Sequence, residues 1–397
     1  MNKSNLGKIF NKDSTTSPAV KAVSKIISKA VFAKASDIHI EPRNNKGVIR
    51  FRIDGVLIEK HSYEKNIHQN IISHLKYIAK LDTTIHRTPQ DGKFEKKIGG
   101  KIIDFRVSFI PLVSGEKVVI RILDKETTNF KLEEIGFSEN EYKDIYKIIN
   151  KKSGIILTCG PTGSGKTSLL YSILKKINRP ELNIVTVEDP VEYELDGVNQ
   201  IQVSEGILEL PLILKSILRQ DPDIIMIGEI RDSDTAEFAI KASLTGHLIL
   251  STLHTSNGVS AIFRLLNLGI KSYEISATVN GIIAQRLVRK LCPHCKKKDE
   301  NFLAKLSSLD IDIDKYKNFT FYTGNGCEYC NGTGYSGRFP LFQLLVFDDD
   351  IKELINQKAN IQEIKKYCQE KGMKKLIEIG LEKAIIGITS LDEFIFE

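Results

Sequence analysis

Residues 155–168 read IILTCGPTGSGKTS. Ile155, Ile156, Leu157 and Thr158 are apolar or β-branched and predict a buried strand. The strand runs into Gly160-Pro161-Thr162-Gly163-Ser164-Gly165-Lys166-Thr167, which matches G-x-x-x-x-G-K-[ST], and a helix opens from Ser168. Glycines at these places let backbone N–H groups turn inward around phosphates, and the helix N-terminus adds its dipole. Lys166 is expected at the β- and γ-phosphates and Thr167 at Mg²⁺. A chance glycine-rich turn is the bland alternative, but strand before and helix after argue against it. The stretch therefore predicts a nucleoside-triphosphate site.

The rest of the chain surrounds this stretch with alternating strands and helices. From Leu132 onward, a helix over Glu139–Lys151 is expected, opened by Ser138 with Glu141 at capping-box spacing. Further buried strands are expected at Ile184–Val187, Ile224–Ile227 and Leu248–Thr252. Strands alternating with helices need crossover connections and predict a mostly parallel sheet. After Cys330 and a glycine turn, helical material is expected to the end.

Upstream, Val20, Val23, Ile26, Ile27, Ala30 and Val31 recur at helical spacing. Asp37–Glu41 and Val48–Ile53 alternate with period two, and Asp54-Gly55 then predicts a hairpin with Val56–Ile58. A helix over Ile67–Leu81 and strands at Gly92–Ile98, Ile102–Ile110 and Lys117–Ile122 complete a smaller α+β domain. The expected division is a polar tail over 1–17, the α+β domain over 18–124, a linker over 125–131 and the P-loop domain over 132–397.

The chain has 397 residues, 41% hydrophobic and 27% charged, with a net charge of +7, ordinary for a globular protein of two or three domains. No apolar run approaches the roughly 20 residues that span a bilayer, and the first residues lack a secretory signal. The expected compartment is the cytosol, where cysteines stay reduced. Cys292-x-x-Cys295 and Cys327-x-x-Cys330 then read as two zinc knuckles forming a closed, structural Cys₄ site, with an inserted helix or hairpin between them. The subdomain they tie down is expected over 286–337. Cys159 and Cys368 read as buried small hydrophobes.

Four further groups are candidates for chemistry. Glu188 leaves the second strand of the P-loop domain in TVEDPVEY, where a carboxylate can orient an attacking water or merely cap a turn. Glu229 follows the third strand in IGEIRD, at the place of a Walker B acid, and is the second candidate for Mg²⁺. His247 and His254 flank the fourth strand and are candidate sensors of the γ-phosphate, against the alternative of satisfied surface histidines. Arg106 and Arg121 lie on strands of the first domain; arginines there are ordinarily solvated, although a P-loop ATPase needs one against transition-state charge.

These blocks together resemble the assembly ATPases of type II secretion and type IV pilus systems. The resemblance covers residues 18–397 and rests on ASDIHIEP (35–42), RFRIDG (50–55), RTPQDGK (87–93), RVSFIPLVSGEKVVIRIL (106–123), GPTGSGKT (160–167), TVEDPVEY (186–193), LRQDPDIIMIGEIRD (218–232), LTGHLILSTLHT (244–255) and AQRLVRKLC (284–292). It implies a PAS-like first domain hinged to a RecA-like ATPase domain with the zinc subdomain inserted. It also implies a homo-hexamer that hydrolyses ATP and drives an inner-membrane platform protein, cytoplasmic and peripheral at the inner face of the membrane. In such a protein Glu188 is the water activator, Glu229 the Walker B acid, His247 and His254 the His box, and Arg106 and Arg121 the phosphate-reaching fingers. The tetracysteine element marks the assembly side rather than retraction. Family members commonly carry further N-terminal docking domains, whereas here the PAS-like region begins almost at once; Gln343 stands where the family usually has glutamate. A RecA-like nucleic-acid translocase is the rival reading, but it calls for basic residues interleaved with aromatics, and the lysine runs here lack them. A nucleotide-binding regulator without turnover is a third reading, and the intact set of Lys166, Thr167, Glu188 and Glu229 argues against it.

Overall fold

The computed structural model describes residues 18–124, 131–204, 206, 208–309 and 311–394. The expected tail over 1–17 and residues 125–130 of the expected linker lie outside the described residues. The chain divides into two compact units, Met1–Thr128 and Asn129–Glu397.

The first unit opens with α1 (Pro18–Phe32), which buries Ala19, Ala22, Val23, Ile26, Ile27 and Ala30 along one face. Strands β1 (Asp37–Pro42), β2 (Lys46–Ile53) and β3 (Val56–Glu64) follow, then α2 (His68–Ile78) and strands β4 (Gln90–Ile98), β5 (Lys101–Leu112) and β6 (Gly115–Leu123). They form one sheet in the order β3-β2-β1-β6-β5-β4, antiparallel throughout. Asp54 (φ 49°) and Gly55 (φ 87°) turn the β2–β3 hairpin as expected, since two positive φ angles match the twist of the strands. Ile103, Phe105, Val107 and Phe109 alternate inward on β5 and join the helices in one core. Each such side chain contributes about 1.5–3 kcal/mol by leaving water. Lys76 on α2 is fully buried and meets Glu116 on β6 at 2.5 Å, while His86 reaches the other Glu116 oxygen at 2.8 Å. Lys76 also donates to the Ile85 carbonyl, so this buried ion pair ties the segment after α2 to the sheet.

The second unit begins with α3 (Glu139–Ile149), whose capping box between Ser138 and Glu141 is complete. It continues through β7 (Gly154–Cys159), α4 (Lys166–Ile177), β8 (Ile184–Glu188), β9 (Asn199–Gln202) and α5 (Leu210–Ile217). Next come β10 (Ile224–Ile227), α6 (Ser233–Leu244), β11 (Leu248–Leu253), α7 (Gly258–Asn267), α8 (Ser272–Thr278) and β12 (Val279–Leu291). The seven-stranded sheet runs β15-β12-β7-β11-β10-β8-β9, where β15 is Tyr335–Val346. It is parallel from β12 to β9, and only β15 is antiparallel. Every residue of β7 is buried, because helices cover both faces. Ile155, Leu157 and Cys159 enter one core layer and Ile156 the other.

Strand β15 corrects the expectation of helical material after the glycine turn. Its partner β12 is distant in sequence, with Ala284 opposite Gln343 and Leu287 opposite Pro340. The apolar run there fits either element, and only the pairing chooses between them. Proline is tolerated because β15 is the sheet edge and needs no outward N–H. Between the cysteine pairs stand β13 (Lys296–Lys298), α9 (Phe302–Ser307) and β14 (Tyr322–Gly324), with β13 and β14 paired. Helices α10 (Asp349–Asn356), α11 (Ile361–Glu370) and α12 (Leu376–Ile385) follow β15. Leu381, Leu391 and Phe394 from the chain end pack with Val288, Leu306 and Phe321 into a separate small core beside the cysteines.

Candidate nucleotide site and cysteine centre

The P-loop connects β7 to α4, with Gly165 as the helix N-cap in the left-handed region (φ 89°). A side chain at Gly165 would meet the Gln285 Nε2 at 2.8 Å, and one at Gly160 the Gln285 carbonyl oxygen at 2.3 Å. Gln285 on β12 thus walls the loop from behind, and only glycine leaves room for it. Pro161, Thr162, Gly163 and Thr167 are exposed, Ser168 is half-buried, and Ser164 is buried. Lys166 is buried and donates to the Gly160 carbonyl at 2.9 Å and the Pro161 carbonyl at 3.1 Å. Burial lowers the Lys166 pKa, against the opposing pull of Cys159 and Glu229. Ser164 Oγ and Gln285 Oε1 are buried without a hydrogen-bond partner among the described residues. A loop with backbone N–H groups, a buried ammonium and an unused hydroxyl is the donor set that a polyphosphate takes.

Parallel strands bring their carboxyl ends to the same edge as this loop. Register pairs Leu253 with Cys159, Ser251 with Ile227 and Ile227 with Val187, so Glu188, Glu229 and His254 all leave the sheet beside the P-loop. His254 Nε2 lies 2.9 Å from the Glu229 Oε2, and Arg231 pairs with Oε1. Burial works to raise the Glu229 pKa, but the Arg231 guanidinium and then His254 outweigh it and hold the carboxyl below its ordinary value.

Glu188 is in a different situation. It is 4% exposed and accepts from Thr186 Oγ1 at 2.6 Å, Gln200 Nε2 at 3.1 Å and the Tyr171 hydroxyl. Tyr171 belongs to α4 and Gln200 to β9, so this carboxylate joins three elements rather than capping a turn. Tyr171, Gln200, Gln285 and Arg231 are participants that sequence reasoning missed. Gln285 and Arg231 sit inside quoted blocks, AQRLVRKLC and IGEIRD, but nothing local sets them apart.

Topology places His247 at the opposite end of β11 from the P-loop. It precedes β11, and its carbonyl accepts from Gly154 at the start of β7. Six strand residues, Leu248–Leu253, separate it from the P-loop edge. At about 3.3 Å per residue that is roughly 20 Å, too far for contact with a phosphate bound there. Its Nδ1 lies 2.8 Å from the Ala242 carbonyl and 3.1 Å from Thr245 Oγ1, a local tie at the end of α6. Of the two histidines the structure brings only His254 to the site.

Arg106 and Arg121 belong to the first unit and are direct cross-strand neighbours. They extend a register row of Lys93, Arg106, Arg121, Asp37 and Arg52 across five strands. Directly opposed residues share a face, so four cations flank one carboxylate. Asp37 Oδ1 accepts from Arg121 Nε at 3.2 Å, and its other oxygen lies 3.6 Å from Arg52.

Cys292, Cys295, Cys327 and Cys330 converge with all four Sγ atoms within 4.8 Å of one another. The closest pairs are Cys292–Cys327 at 3.7 Å, Cys295–Cys330 at 3.8 Å and Cys327–Cys330 at 3.6 Å. A tetrahedron with Zn–S bonds of about 2.3 Å has edges of about 3.8 Å, so the sulfurs fit zinc. Backbone N–H groups of Cys327 and Gly334 donate to Cys330 Sγ at 3.1 and 3.2 Å. Burial opposes ionisation of that thiol, but these donors prevail and hold its pKa down to about 6. The expected helix or hairpin between the knuckles is present as α9 and the β13–β14 ladder.

The sequence profile described as type II/IV secretion system protein matches residues 12–396. The type IV pilus assembly ATPase PilB of Myxococcus xanthus is 45% identical over 381 residues, covering 95% of this chain and 67% of the relative. The type II secretion system ATPase E of Vibrio cholerae is 42% identical over 377 residues, covering 95% of this chain and 74% of the relative. The X-ray structure of the Legionella pneumophila ATPase DotB superposes with a TM-score of 0.70 at 21% identity, covering 97% of this chain and 96% of that one; it speaks to the fold. With that profile spanning nearly the whole chain and relatives at 42–45% identity over 95% of it, the chain belongs to the type II/IV secretion system protein family.

Proposed function

We propose that this chain is an ATPase that powers assembly of a type IV pilus or a type II secretion pseudopilus. The observation that carries the reading is the meeting of Lys166, Glu229 and His254 at the carboxyl edge of the parallel sheet, beside a loop whose donors suit a triphosphate. Gly160–Thr167 and Ser168 cradle the phosphates, with Lys166 at the β- and γ-phosphates. The Thr167 hydroxyl and the Glu229 carboxylate are hard oxygen donors that suit Mg²⁺, held directly or through water. When bound, that ion neutralises charge on the phosphate oxygens. His254 senses the γ-phosphate through its bond to Glu229. Because Glu188 is 4% exposed with buried donors on both oxygens, whereas the Arg231 partner of Glu229 is 65% exposed, Glu188 is read as the tie between β8, β9 and α4, and the water is oriented by Asp189 or Glu192. These two follow on the same segment and keep solvent access. Four thiolates hold one structural Zn²⁺.

Arg106 and Arg121 act as fingers toward a phosphate, in a homo-hexamer whose first unit is PAS-like; their pairing in one row supports a shared role. The ring works on an inner-membrane platform protein. No described helix is long and apolar enough to cross a membrane, which suits a cytoplasmic motor at the membrane's inner face. Steady-state ATP hydrolysis against protein concentration tests the reading, with Arg106→Ala and Glu229→Gln beside the wild type. Activity per subunit should rise with concentration, and both folded variants should lose it. A flat dependence with Arg106→Ala fully active would end the ring and finger assignments.

A further inference from the structure

Arg231 has no role in the reading above, yet it occupies an oxygen of Glu229. Its guanidinium meets Oε1 while His254 Nε2 lies 2.9 Å from Oε2, so both Glu229 oxygens have partners. The groups facing this carboxylate come from four places in the fold. They are Lys166 on α4, His254 after β11, Arg231 itself, and, through Arg231, the charges of Asp189 and Asp232. The Arg231 backbone is held independently of its side chain, because Arg264 donates to its carbonyl at 3.0 Å and Asp232 caps α6 through Thr235. The Arg231 side chain is 65% exposed and that of Glu229 25%, so water screens the pair and it can open without unfolding anything.

We propose that Arg231 is a positioning residue that competes with the divalent cation for Glu229. A cation bound at Oε1 needs the lone pairs the guanidinium uses, and the two positive charges repel at that distance. A cation arriving with the triphosphate is accompanied by the negative charge of the phosphate oxygens, and the pair displaces Arg231 toward Asp189 and Asp232, the two other carboxylates that act on it. A cation arriving alone has no such compensation. The pair therefore makes the site discriminate against free Mg²⁺ in favour of Mg²⁺–nucleotide. This rests on the reading of Glu229 as a cation-facing acid.

The test measures Mn²⁺ binding to the nucleotide-free 397-residue chain by electron paramagnetic resonance. Wild type, Arg231→Gln, Arg231→Lys and Glu229→Gln are compared, each checked for a cooperative thermal melt. Arg231→Gln should bind Mn²⁺ roughly tenfold more tightly. Arg231→Lys should restore the wild-type affinity, and Glu229→Gln should lose the site. In hydrolysis assays, the Mg²⁺ concentration for half-maximal rate should fall in Arg231→Gln. Unchanged Mn²⁺ affinity in folded Arg231→Gln, or wild-type Mn²⁺ binding by Glu229→Gln, overturns the proposal. A wild type that shows the Mn²⁺ linkage but no hydrolysis sinks the ATPase reading and leaves this competition standing.

Discussion

Replacing Glu188 by glutamine separates two roles for the same carboxylate. The side chain sits 4% exposed beneath Tyr171, Thr186 and Gln200, all of which donate to it. Glutamine keeps the size and one acceptor oxygen. The two hydroxyls can rotate to accept from the new amide, and the loss is confined to the charge-assisted part of the bonds, about 1–2 kcal/mol. For a unit of this size that lowers the melting temperature by about 2–8 °C. Alanine instead strands three buried donors and leaves a cavity, which costs about 3–5 kcal/mol. If Glu188 joins β8, β9 and α4, folded Glu188→Gln keeps kcat within about threefold of wild type, while Asp189→Asn or Glu192→Gln loses about a hundredfold, the lower range of a lost general base. Calorimetry and steady-state hydrolysis on the same preparations read both quantities. A Glu188→Gln protein that melts like wild type yet loses a hundredfold in kcat refutes the argument and restores Glu188 as the water activator.

Three further outcomes follow from the geometry. His254→Ala should lower kcat roughly tenfold or more, whereas His247→Ala, at the opposite end of β11, should stay within about twofold; equal losses would contradict the register. The protein should release one equivalent of Zn²⁺ per chain on thiol modification, and Cys327→Ser should lose the metal and melt earlier, because Cys292 directly follows Leu291, whose N–H donates to the Ile388 carbonyl of the segment that carries Leu391 and Phe394 into the small core. Burial, with Lys29 and Lys60 nearby, pushes the His61 pKa from 6.5 down to about 4, and His39, His68 and His74 are lowered in the same sense. The unfolded chain then binds more protons below pH 6.5, so stability is complete above that value and is lost as pH falls toward 4. Melting at pH 7 and pH 5 should differ less in His61→Gln than in wild type; an unchanged difference would refute that source.

The features readable from the sequence are those whose physics is local. The P-loop, the Ser138–Glu141 capping box and the Asp54-Gly55 turn each follow from a few neighbouring residues and their permitted backbone angles. The buried strands β7, β8, β10 and β11 follow from short apolar runs between helical periods. The tetracysteine spacing likewise announces a convergence of four thiols, since two residues between thiols suit one edge of a tetrahedron. Tertiary structure alone decided the rest, because it depends on pairing between distant segments. The stretch 335–346 became a strand only because β12 offered an edge. His247 and His254 look alike along the chain, and only the direction of β11 beside β7 sends one to the P-loop edge and the other to the far end of the sheet. Glu188 reads as an acid at the carboxyl edge of the sheet, and only the fold shows Tyr171 and Gln200 donating to it; Arg231 reads as a surface residue until it meets Glu229. A side chain's chemistry is written in the sequence, but its partners are set by the fold, and the partners determine whether that chemistry is free to act.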